Sequence, residues 1–67
     1  MNNLQELDVL NSSLSDYGLC PTEWHIIEEE DWVYKIQNKE EPHFFFRGKV
    51  KYENGHKKWR SIRLAGL

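Results

Sequence analysis

Apolar positions along this chain follow two different periods, and the change falls near residue 24. Leu4, Leu7, Leu10 and Leu14 recur at steps of three, three and four, the stripe of an amphipathic helix. Asn2 or Asn3 is placed to cap its start, and Glu6 and Asp8 fall in early turns, where the helix dipole favours acids. Ser12, Ser13, Ser15 and Asp16 lower helical propensity, and Gly18 can close the segment in a left-handed turn. The pattern predicts one helix over about residues 3–16, then a connector at Leu19-Cys20-Pro21-Thr22.

From Trp24 onward the period is two. Trp24 and Ile26 alternate with His25 and Ile27 until the acids Glu28-Glu29-Glu30-Asp31 interrupt. Trp32, Tyr34 and Ile36 then alternate with Val33, Lys35 and Gln37, the pattern of a half-buried strand. Asn38-Lys39-Glu40-Glu41-Pro42 reads as a turn, since Pro42 has no N–H to give to a ladder. Strands are expected at about 24–28, 32–38, 43–52 and 56–64.

The last two strands meet at Tyr52-Glu53-Asn54-Gly55-His56, which can close as a two-residue Asn-Gly turn or as a three-residue loop. One residue of register exchanges the faces. The two-residue loop sets Lys51 against Lys58, Lys49 against Arg60 and Phe46 against Arg63. The three-residue loop gathers Phe44, Phe46, Val50, Ile62 and Leu64 on one face. It leaves Arg47, Lys49, Lys51, Lys57, Trp59 and Arg63 on the other, with Trp59 opposite Lys49. Completion of an apolar face favours the three-residue loop.

The expected fold is α+β, one N-terminal helix packed on a four-stranded antiparallel meander within a single small domain. Its core is expected to hold Leu4, Leu7, Leu10, Leu14, Trp24, Ile26, Trp32, Tyr34, Ile36, Phe44, Phe46, Val50, Ile62 and Leu64. A small curled half-barrel is the nearest alternative, bent at Gly48 in mid-strand.

Charge changes this picture by splitting the chain. Residues 1–42 hold ten of the eleven acids and two bases, Lys35 and Lys39, whereas residues 43–67 hold seven bases against Glu53 alone. The near-neutral total of −2 hides this division. Aromatic residues interleave the bases, the chemistry of an anion- or nucleic-acid-binding surface. The candidate binding residues are Phe45, Arg47, Lys49, Lys51, Lys57, Trp59 and Arg63, with the cations on phosphates and the rings under unpaired bases. Arg and Trp on one face are also typical of protein-binding hot spots. The plainer reading is that Lys and Arg on a final strand discourage edge-to-edge pairing.

Other chemistry finds little support. Hard-cation sites space their ligands around a sharp turn, and no Gly accompanies Glu28-Glu29-Glu30-Asp31. Cys20, His25, His43 and His56 lack the short ligand spacing of a zinc site. Cys20 lies in the acidic half before Pro21, where a partly buried, inert thiol is expected rather than a nucleophile. The four glycines are scattered and form no phosphate-cradling loop. No cofactor, metal or catalytic residue is therefore expected, and the chain reads as a non-enzymatic binding module.

A lone cysteine fits a reducing compartment, and no segment has the length of an apolar membrane span. The expectation is a cytoplasmic protein encoded as a whole small reading frame. Its expected partner is a single-stranded or flexible nucleic acid, with an acidic protein surface or a second copy of the chain as the alternative. The stretch from Pro42-His43 through Asn54-Gly55 resembles part of the double-stranded-RNA-binding domain. However, Phe44, Phe46, Val50 and Tyr52 have the opposite parity to that family's strand. Its closing helix is replaced by Trp59-Arg60-Ser61-Ile62, which alternates like a strand.

Overall fold

The computed structural model describes the backbone of residues 3–67 and the side chains of residues 7–67. One helix, α1 (Asn3–Ser12), is followed by strands β1 (Trp24–Glu30), β2 (Val33–Asn38), β3 (Phe45–Glu53) and β4 (His56–Gly66). The strands form one open antiparallel sheet in sequential order, the expected α+β meander. The cap at Asn2 or Asn3 and the burial of Leu4 lie outside the described side chains.

Serines shorten the helix, as their chemistry requires. Ser13 Oγ donates to the carbonyls of Val9 (3.0 Å) and Leu10 (3.1 Å), and Ser15 Oγ donates to Ser12 O. Such bonds compete with the regular ladder, and the chain tightens into a 3-10 turn over Ser13–Tyr17. Gly18, at φ 81°, then ends the segment in the left-handed region, where a Cβ would be strained. A further 3-10 turn, Pro21–Glu23, leads into β1.

Leu10 and Leu14 are fully buried and form the core with Trp24, Tyr34, Ile36, Val50 and Trp59. Trp24 meets Phe44 and Phe46 edge-on at 5.2 and 5.4 Å. α1 touches both β1 and β4, the two outer strands, so the sheet curls around the helix while its edges stay unjoined.

The β3–β4 hairpin closes with the two-residue turn and not the expected three-residue loop, and a bulge further along restores the face pattern that the longer loop was expected to give. Asn54 (φ 56°) and Gly55 (φ 82°) form a two-residue turn with both central residues at positive φ, which pairs Glu53 with His56, Lys51 with Lys58 and Val50 with Trp59. A bulge at Arg60 then shifts the register, so that Lys49 faces Ser61, Arg47 faces Arg63 and Phe46 faces Leu64. One extra residue thus lets Trp59 join the core without turning Ile62 to the other side.

Three expected core assignments need correction. Trp59, assigned to the outer face, is only 6% exposed. Trp32 is 46% exposed because it lies in the β1–β2 turn rather than within a strand. Leu64, close to the chain end, is 53% exposed.

Candidate polyanion-binding face

Alternation along β2, β3 and β4 sends odd-numbered residues of β2 and β3 away from the helix, and the bulge keeps Ser61 and Arg63 on that same outer side. Lys35, Arg47 and Arg63 consequently stand side by side across three strands. Lys49, Arg60 and Ser61 lie next to them, and with Val33, Arg47 and Arg63 they line an open depression of about 390 Å³. Like charges directly opposite on a ladder repel. Among the described residues Lys49, Arg60 and Arg63 have no acidic partner, so only the Arg47 side of the Arg47–Arg63 opposition is offset within the described chain.

Arg47, Lys51 and Lys58 are neutralised locally. Arg47 Nε donates to Glu29 Oε1 at 2.9 Å. That hydrogen bond and the charge of Glu29, with Glu30 adding to it, raise the Arg47 pKa above its ordinary value. Lys51 and Lys58 are directly opposed near the turn, and Glu53 bridges them at 3.9 and 3.2 Å. Its bond to Lys58, then the charges of Lys51 and Lys58, hold the Glu53 carboxyl below its usual value. Exposed pairs of this kind contribute little to stability.

Of the seven residues singled out from the sequence, the structure brings Phe45, Arg47, Lys49, Lys51 and Arg63 onto one face and removes two. Trp59 turns inward, its ring lying on Gly48 so closely that a Cβ at that position would overlap it. Its Nε1 donates to Leu10 O at 2.9 Å, and its carbonyl accepts from the Tyr17 hydroxyl at 3.3 Å. A strand glycine marks close approach by another group, and Gly48 beside an indole was the signal for this contact. Lys57 also departs, because its register places it opposite Tyr52 and its Nζ donates to the Tyr34 hydroxyl at 2.9 Å. Phe45 keeps its side of the sheet but is half-buried beneath Lys35 (4.5 Å) and Arg47 (5.6 Å), so cations already occupy its ring.

Sequence reasoning missed Lys35, Arg60 and Glu29. Parity could have placed Lys35 on the outer face. Arg60 and Glu29 sit at bulges, where alternation fails.

The remaining candidates do not assemble into a site. Cys20 is exposed rather than partly buried, with Sγ 3.2 Å from Thr22 Oγ1. Among the described residues no group of three or more His, Cys, Asp or Glu is arranged to hold a metal ion, and no helix is long and apolar enough to cross a membrane. No protein-family model, curated protein or solved structure matches this chain.

Proposed function

We propose that the chain is a non-enzymatic binding module whose outer β3–β4 face takes the phosphate backbone of a single-stranded or flexible nucleic acid. The observation that carries this reading is the opposition of Arg47 and Arg63 beside Lys49 and Arg60, three of the four without an acidic partner among the described residues. An external polyanion relieves that repulsion and releases its own counterions in doing so. Recognition is expected to run through the backbone with little base preference, because Trp59 is buried and the Phe45 ring is covered.

Titration of a labelled single-stranded oligonucleotide at low salt tests the proposal. Affinity should fall as salt rises, with a log–log slope of about −0.7 for each phosphate neutralised. Absence of binding by the wild-type protein at low salt would overturn it.

A second reading, a protein-interaction module, draws support from the opposite side of the sheet. Trp32 and Tyr52 pack edge-on at 5.3 Å while remaining 46% and 55% exposed. Exposed aromatic pairs of this kind are typical of protein contacts. On that reading Trp32→Ala should leave oligonucleotide affinity unchanged but abolish association with the partner. For the self-associating version, sedimentation at two salt concentrations gives the check, and a monomer in both excludes it.

A further inference from the structure

We infer that Glu29 is an internal counter-ion of the basic face, holding Arg47 in the position of an external phosphate and leaving it when a polyanion binds. The inference rests on the polyanion reading above and concerns what sets its affinity.

The geometry begins with a bulge. The β1–β2 register runs evenly from Trp24–Asn38 to Glu28–Tyr34, then jumps to Glu30–Val33. Glu29 is left without a ladder partner, and the bulge re-aims it. Its carboxylate passes over β2 to reach Arg47 on β3, two strands away. Glu29 and Glu30 share an open depression with Val33, Arg47 and Lys49, and those last three also line the depression holding Arg60 and Arg63. The acidic end and the basic end therefore form one continuous surface. Arg47 gives only its Nε–H to Glu29. A guanidinium has five N–H donors, so an incoming phosphate can engage the others before the carboxylate leaves.

The contact is accessible, with the Arg47 side chain 52% exposed, which keeps the exchange easy. Glu29 is tethered to the face and so competes at a fixed effective concentration, lowering the apparent affinity of every external anion. Exposed ion pairs of this type are of a strength that makes the competition about two- to five-fold. If Glu29 acted only as a tie between β1 and β3, its removal would loosen the face and weaken binding. The two roles predict opposite signs.

The experiment compares the wild-type protein with Glu29→Gln and Glu28→Gln in oligonucleotide titrations at several salt concentrations. Glu28→Gln is the charge control, since Glu28 pairs with Tyr34 on the helix side of the sheet. Glu29→Gln should bind about two- to five-fold more tightly than Glu28→Gln. Its salt slope should be steeper, because salt no longer helps binding by weakening a competing ion pair at Arg47. Equal or weaker binding by Glu29→Gln overturns the inference. Failure of the wild-type protein to bind any oligonucleotide overturns the polyanion reading instead. Tripolyphosphate, followed through the Arg47 Nε–H resonance, then decides this inference alone. The resonance must respond at lower tripolyphosphate concentration in Glu29→Gln than in wild type, and an equal response or none overturns it.

Discussion

On the helix side of the sheet, Trp59, Val50, Tyr34 and Ile36 are closed off from water, while on the outer side Arg47, Lys49 and Arg63 stand exposed along neighbouring positions of the same strands. The helix side is held by shape: rings meet edge-on, and an indole lies on a glycine that can carry no Cβ. The outer side is held by charge, with cations opposed across the ladder and acids supplied at two places by Glu29 and Glu53. Neighbouring residues in sequence thus answer to different physics. Substitution on the first side should be read in stability, and on the second in binding.

The largest test of that contrast is Trp59→Ala. It removes the indole from the core and takes one of two donors from the Leu10 carbonyl, which keeps Ser13 Oγ, a loss of about 3–5 kcal/mol. A domain of this length has a total stability of about 3–10 kcal/mol. Urea denaturation followed by circular dichroism should therefore find the variant losing about 3–5 kcal/mol, half or more of a stability in the lower part of that range. An unchanged midpoint with weakened oligonucleotide binding would instead return Trp59 to the outer face.

Gly48→Ala addresses the same contact from the other strand. The added methyl must displace the Trp59 ring, and the expected cost is about 1–3 kcal/mol by chemical denaturation. An unchanged midpoint would mean that the ring moves freely.

Arg63→Glu should separate the two readouts. Oligonucleotide affinity is expected to fall at least about tenfold, as an attractive phosphate contact becomes repulsive. Stability should rise by about 0.2–1 kcal/mol, because Arg47 then faces an opposite charge. Lys49→Glu, opposite the uncharged Ser61, should lose binding with its midpoint within about 0.5 kcal/mol of wild type. Loss of stability in either variant would show that the cations support the fold.

Trp32→Ala is the counterpart of Trp59→Ala for the same residue type. It forfeits mainly the edge-on contact with Tyr52, and the expected cost is no more than about 1.5 kcal/mol. Equal costs for the two tryptophans would erase the distinction between a core ring and an exposed one.

The smallest effect concerns pH. The folded Glu53 carboxyl titrates below its usual value, so its contribution is present above the ordinary carboxylate range and is lost as pH falls through the lowered pKa. Once protonated, it no longer bridges Lys51 and Lys58, and their repulsion returns. Denaturation midpoints between neutral pH and about pH 3 should fall slightly less steeply in Glu53→Gln than in wild type. Indistinguishable profiles would show that solvent screening has already removed the interaction.

Periodicity alone determined that this chain makes one helix and then four strands, and that Leu10, Leu14, Trp24, Tyr34, Ile36 and Val50 turn inward. It also placed Arg47, Lys49, Lys51 and Arg63 on one side, because a strand repeats every two residues and burial of one face commits the other. Tertiary structure decided Trp59, Lys57, Arg60 and Glu29. Trp59 and Lys57 lie in the two-residue-turn register, Arg60 and Glu29 sit at bulges, and a bulge is one unpaired residue whose position follows from packing across strands. The Asn-Gly turn alone would leave Phe46 facing Arg63, and a longer loop alone would leave Trp59 facing Lys49. Only the space above Gly48, beneath α1, made it favourable to bury the indole and then shift register at Arg60. That space comes from residues far apart in the chain, so no local pattern could disclose it.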